Sequence, residues 1–168
     1  IGSKIKEYFK SNKNIDIFNI DKKDIDLSLE SNRDLIEETI NKIKPIATIV
    51  LASIKRQLGD SADIKNHNDA ITENISRCLS EKKSKVIYLS SCAVYGEKNN
   101  QIEFDESSNL SPTSSYGEHK VKSENIYKKF IDEKRLVIIR PPLIYDMDEL
   151  TGYHPGGFLH SAKENNYI

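Results

Sequence analysis

Residues 86–96 read VIYLSSCAVYG and residues 112–120 read PTSSYGEHK, and these two stretches decide how the chain is read. Val86 to Leu89 has the composition of a buried strand and stops at Ser90 and Ser91. Pro112 to Ser115 leads into a helix that carries Tyr116 and Lys120. A separation of four puts the phenol and the ammonium on one helix face. A free tyrosine titrates at about 10, and a neighbouring cation lowers that value by favouring the phenolate. Such a phenol can trade a proton with an alcohol near neutral pH. The Ser91 hydroxyl can hold the same oxygen.

Taken alone, the Tyr–Lys spacing says little, since a tyrosine packed on a core beside a solvated lysine has the same pattern. The surroundings change the balance. A polar loop separates the serine strand from the tyrosine helix, and a later apolar strand, Leu136 to Ile139, ends at Arg140-Pro141-Pro142.

Outward from this block, strand-like and helix-like segments alternate. Ile5, Tyr8 and Phe9 form a helical stripe after Gly2. Ile15 to Ile20 is predicted as a short strand ending at Asp21. Leu35, Ile36, Ile40 and Ile43 mark a second helix with Ser31 as its N-cap. Ile46 to Ala52 is a strand rich in β-branched residues. Ala70, Ile71, Ile75, Cys78 and Leu79 mark a third helix. Repeated alternation predicts a doubly wound α/β fold, Rossmann-like, with a parallel sheet covered on both faces. Residues 1–145 are assigned to a dinucleotide-binding domain and 146–168 to the start of a substrate-binding region.

A chain of 168 residues is long enough for one domain with a sizeable core. Its net charge is −1 with charges spread throughout, which argues against a nucleic-acid surface or a membrane patch. Glu81-Lys82-Lys83-Ser84-Lys85 reads as a solvated helix end. No apolar run reaches transmembrane length and no signal peptide is visible. Cys78 and Cys92 do not make a disulfide framework and read as free thiols of a reducing cytoplasm. His67, His119, His154 and His160 lack metal-ligand spacing, so no metal is expected.

Gly2, placed just before an amphipathic helix, looks like the last glycine of a dinucleotide-binding fingerprint, with Ser3 beside it. A helix N-terminus of this kind binds pyrophosphate through free N–H groups. Asp21 stands 19 residues further on, where an acid can bond ribose hydroxyls; a turn aspartate would look the same. Lys22 and Lys23 could instead pair with the extra phosphate of NADP. NAD is favoured and NADP stays open. The first strand and first two glycines of such a fingerprint are not among these residues, and the natural protein is expected to be longer.

The assembly SSCAVYG, Glu106, PTSSYGEHK and IIRPPLIY resembles the extended short-chain dehydrogenase/reductase family, the NAD-dependent epimerases, dehydratases and reductases of nucleotide sugars. The resemblance implies Tyr116 as general acid/base. It implies Lys120 as the cation that lowers the phenol's pKa and bonds the nicotinamide ribose. Ser91 is implied to bond the reacting oxygen. It also implies cofactor contacts from Asp26 and Leu27 at the adenine, Ala52-Ser53 in a small-residue turn, Asn68 near the phosphates, and Pro141. Members continue into a smaller domain that closes over the sugar nucleotide, and many form homodimers through paired helices.

Two departures narrow the reaction. Sugar 4,6-dehydratases carry an acid pair directly after the hydroxyl residue, where this chain has Cys92 and Ala93. Leu143 stands where many members have an asparagine three residues after the arginine. The leading expectation is a nucleotide-sugar 4-epimerase or 4-ketoreductase. The alternatives are a non-catalytic dinucleotide sensor that kept the fold, and a structural module, which the buried strands disfavour.

Overall fold

A computed structural model of the chain describes residues 1–12, 14–54, 61–96, 103–142 and 144. Helix α1 spans Gly2–Phe9, α2 Arg33–Ile43, β1 Ala47–Val50, α3 Ala62–Ser80, β2 Lys85–Leu89, α4 Ser115–Phe130 and β3 Leu136–Ile139. The three strands form a parallel sheet in the order β1-β2-β3, with α3 and α4 as the crossovers. Val50 pairs with Tyr88, and Tyr88 with Ile138, so the serine strand is central and both neighbours end beside it.

Alternation along each strand sends Val50, Val86 and Tyr88 to one face. There they meet Ile71, Ile75 and Leu79 of α3, Tyr127 of α4, and Ile36 and Ile40 of α2. Leu79, Val86 and Tyr127 have no exposed surface. The Tyr88 and Tyr127 rings lie 4.6 Å apart. Full burial of an aliphatic or aromatic side chain contributes ~1.5–3 kcal/mol, so this cluster is the main cohesive element. The opposite face is open among the described residues: Ile49, Val137 and Ile139 keep 41%, 47% and 45% of their surface. On that side Leu51 lies beside Gly2, where a Cβ would stand 3.5 Å from its Cδ1.

Local chemistry explains the helix ends. Ser61 accepts from the Ile64 N–H at 3.3 Å and opens α3. At its far end the Arg135 guanidinium gathers carbonyls, including those of Leu79 at 3.4 Å, Ser80 at 2.7 Å and Ser84 at 3.2 Å, together with Lys82. These are orphan acceptors of a helix terminus and the turn after it. Helix α2 closes at Lys44, left-handed at φ 48°, immediately before Pro45.

Several expectations need correction. Ile15–Ile20 joins no ladder among the described residues; Ile20 packs on the core edge, while Phe18 is 64% exposed. A short apolar run becomes a strand only where another strand offers its backbone groups. Ser31 is not the N-cap of α2: it sits inside a 3-10 turn, Glu30–Asn32, and Asn32 takes that position without a side-chain bond. Helix α1 forms, but it buries no residue fully. The lysine run is only partly a solvated helix end, since Lys82 bonds Glu37 at 2.6 Å and Lys85 opens β2. The substrate region assigned to 146–168 lies outside the described residues.

Candidate active site and cofactor cleft

The carboxyl end of β2 leads through Ser90 and Ser91 into a 3-10 turn, Cys92–Tyr95. Ser91 caps that turn, its Oγ accepting from the Ala93 N–H at 3.2 Å. The chain then passes Gly96, at φ 91°, where a Cβ would fall 2.3 Å from the Ser111 carbonyl oxygen. Only glycine meets both the positive φ and the close approach. Ser114 caps α4 by accepting from the Gly117 N–H at 3.2 Å. Gly117 lets the first turn of α4 press on the serine turn: a Cβ there would stand 2.5 Å from the Ala93 oxygen. Tyr116, the residue before it in this first turn, is half-buried.

Lys120 follows one helical turn later and is 4% exposed. Its Nζ donates to the Leu89 carbonyl at 2.9 Å, which anchors α4 to the end of the central strand. The ammonium lies 5.7 Å from the Tyr116 ring centre and 5.0 Å from that of Tyr88. Burial lowers the Lys120 pKa to about 8, and Glu124 opposes the shift. Of the two tyrosines, Tyr88 is 3% exposed, and burial pushes its phenol far above the usual range. Tyr88 therefore stays neutral at ordinary pH.

Sequence reasoning missed Glu124. It is fully buried on α4, accepts from Ser90 Oγ at 2.6 Å, and grips Arg140 in a fork of 2.9 and 2.8 Å. Arg140 also donates to the Tyr95 hydroxyl at 2.7 Å. The available signal was a glutamate one turn past Lys120 and an arginine ending an apolar strand. His119 has a structural place instead: its Nδ1 lies 3.0 Å from Asp69 and its Nε2 3.3 Å from Ser123, in the seam between α3 and α4. Burial is the main cause lowering the His119 pKa.

A second feature is a cleft of about 220 Å³ beyond the end of β1. Asp26, Leu27, Ala52 and Ser53 line it, joined by Lys22 and His67. Asp26 accepts from the Ser28 N–H at 3.0 Å and Ser28 Oγ at 2.6 Å, and these bonds, with Lys22 3.5 Å away, hold its carboxyl below the usual range. Asn68 stands behind the wall: its side-chain amide accepts from the Ile54 N–H at 2.7 Å and donates to the Ile54 carbonyl at 3.3 Å, fixing the loop after β1. Asp21 is exposed and is not part of the cleft lining; its Oδ1 accepts from the Lys23 N–H at 2.8 Å and closes its own turn. Gly2 opens α1. The Pro141 carbonyl accepts from the Cys92 N–H at 2.9 Å, tying the end of β3 to the serine turn. Glu106 is exposed. Ser91 and Lys120 thus stand at the carboxyl end of β2, and Asp26, Leu27 and Ala52 line the cleft at that of β1, where ligands of parallel sheets bind, whereas Gly2 and Asp21 belong to neither group.

Comparison with known proteins agrees with this architecture. The Clostridium acetobutylicum dTDP-4-dehydrorhamnose reductase superposes with a TM-score of 0.77 at 18% identity, covering 99% of this chain and 55% of that one. The Bacillus anthracis dTDP-4-dehydrorhamnose reductase in complex with NADP gives 0.73 at 20% identity, covering 86% and 50%. The Brucella ovis UDP-glucose 4-epimerase in complex with NAD gives 0.55 at 23%, covering 66% and 35%. At these identities the likeness is one of fold, and the chain spans about a third to just over half the length of these structures. No curated protein matches. The profile of the NAD dependent epimerase/dehydratase family matches residues 1–152, nearly the whole sequence, and the chain belongs to that family.

Proposed function

We propose that residues 1–145 are the dinucleotide-binding part of an NAD(P)-dependent nucleotide-sugar 4-epimerase or 4-ketoreductase, with residues 146–168 opening its substrate-binding region. The observation that carries this reading is Lys120, a buried ammonium fixed to the Leu89 carbonyl beside the Tyr116 ring at the end of the central strand. Burying an amine is costly, and a purely structural position there would be better served by an apolar side chain.

The cleft fits one end of a dinucleotide. Pockets for drug-sized ligands run to roughly 300–1,000 Å³, so about 220 Å³ suits a single flat base. Its walls include Ile25, Leu27, Ile54 and Ile71, which suit a base face, and the ionised Asp26 can accept an amino N–H. The bound dinucleotide supplies the hydride chemistry. The chain's own residues move the proton. Tyr116 takes it from the sugar hydroxyl at the phenol oxygen and returns it to the carbonyl in the reverse step. Ser91 hydrogen-bonds the same sugar oxygen, and Lys120 keeps the phenol acidic. With Asp21 engaged in its own turn and Lys22 and His67 at the cleft, both NAD and NADP are to be assayed.

Cys92 and Ala93 hold the turn positions that a 4,6-dehydratase uses for proton transfer to a leaving hydroxyl, and neither can serve. The test is incubation of the complete protein with UDP-, GDP- and dTDP-hexoses and either dinucleotide, following product mass. An isomer of unchanged mass, or a keto sugar gaining two hydrogens, is expected. Loss of water that depends on Tyr116 would overturn the assignment. Tyr116→Phe should lower turnover ~10²–10⁴-fold and leave dinucleotide affinity nearly unchanged; near-normal rates would remove Tyr116 from the role.

A further inference from the structure

We propose that Glu124 is a positioning residue for this reaction, holding the Ser91 turn in register with the Tyr116–Lys120 face of α4 through Ser90, Arg140 and Tyr95. The inference rests on the function proposed above. A carboxylate with no exposed surface is tolerated only when its oxygens are paired. Glu124 Oε1 accepts from Ser90 Oγ at 2.6 Å and Arg140 Nε at 2.9 Å, and Oε2 from Arg140 Nη2 at 2.8 Å, with Lys128 Nζ 3.9 Å away.

Each partner belongs to a different part of the site. Ser90 precedes Ser91 at the end of β2. Arg140 directly follows β3 and precedes Pro141, whose carbonyl takes the Cys92 N–H. The remaining arm of the guanidinium donates to Tyr95, the last residue of the turn that Ser91 caps. One carboxylate on α4 thus ties both strand ends and the serine turn to the helix that carries Tyr116 and Lys120. Bidentate arginine pairing adds direction as well as attraction. Glu124 is also one helical turn past Lys120, and its negative charge favours the ammonium against the effect of burial.

The experiment compares Glu124→Gln and Arg140→Lys in the complete protein, with Lys120→Met as the control on the function itself. Turnover is measured across pH, dinucleotide affinity by calorimetry, and the Lys120 titration by NMR of isotope-labelled lysine. Both Glu124→Gln and Arg140→Lys should lower kcat ~10–10²-fold, as small misplacements of catalytic groups do, with little change in dinucleotide affinity. In Glu124→Gln the Lys120 midpoint and the alkaline limb of activity should both move to lower pH, whereas Arg140→Lys should leave the midpoint in place. A folded Glu124→Gln protein with normal kcat and an unmoved midpoint would overturn the proposal. If that variant does not fold, normal kcat in Arg140→Lys does so. Full turnover in Lys120→Met would instead overturn the proposed function, and the Lys120 midpoint in Glu124→Gln would then decide this link alone.

Discussion

Lys120 shows how one residue acquires its chemistry from its surroundings. Its folded pKa, about 8, lies below the free value of 10.5 because burial disfavours the charge. Between these pH values the unfolded chain binds more protons, so stability rises with pH across that window, and the penalty is fully present below about 8. Lys120→Met should therefore flatten the rise between about pH 8 and 10.5, a difference on the order of 3 kcal/mol; the same pH dependence of urea-unfolding stability in the two proteins would refute it. Gly117 makes a sharper steric case. Adding a methyl group 2.5 Å from the Ala93 oxygen forces α4 away from the serine turn. Gly117→Ala should cost ~1–3 kcal/mol and reduce turnover, and an unchanged urea midpoint would contradict this.

At the scale of elements, α4 is the least legible from sequence. Its buried face consists of Gly117, His119, Lys120, Ser123, Glu124 and Tyr127. An apolar periodicity finds almost nothing there, and charged residues are ordinarily read as solvated. The face is buried because its polar groups find partners: Glu124 with Arg140, Lys120 with Leu89, and His119 between Asp69 and Ser123. Ser123 also lies 3.1 Å from Thr72 of α3, so small hydroxyl residues bring the two helices together. Helix α3, by contrast, follows its apolar stripe of Ile71, Ile75, Cys78 and Leu79. Its end depends on Arg135, 55 residues along the chain from Ser80. Arg135→Ala should cost ~1.5–3 kcal/mol, the range of hydrogen bonds to charged groups, measured by urea unfolding. Arg135→Lys should recover only part of this, because a single ammonium cannot span carbonyls that the guanidinium fork reaches; full recovery would reduce the effect to charge alone.

At the scale of the whole molecule, cohesion among the described residues comes from one face of the sheet. Two leucines that periodicity assigns equally to apolar helix faces behave differently there. Leu79 is fully buried against the strands, while Leu35 keeps 47% of its surface. Leu79→Ala should destabilise by ~2–5 kcal/mol, and Leu35→Ala by no more than ~0.5 kcal/mol, as at surface positions. Equal effects in thermal or urea unfolding would show that the core is not where the structure puts it.

The sequence by itself determined the alternation of strands and helices, the strand Leu136–Ile139, the strands read as Ile46–Ala52 and Val86–Leu89 that the structure bounds at Ala47–Val50 and Lys85–Leu89, and the placing of Ser91, Tyr116 and Lys120 at a strand end and a helix start. These follow from local composition, helical spacing and the stop signals after each apolar run, all of which act between near neighbours. Tertiary structure decided the rest: that Ile15–Ile20 pairs with no strand among the described residues, that Asp26 rather than Asp21 lines the cleft, that Asn68 serves the Ile54 loop, and that Glu124 joins three segments. The reason is physical. A backbone edge, a carboxylate or an amide is satisfied by whichever donor or acceptor folding brings within about 3 Å, and sequence distance does not set that meeting.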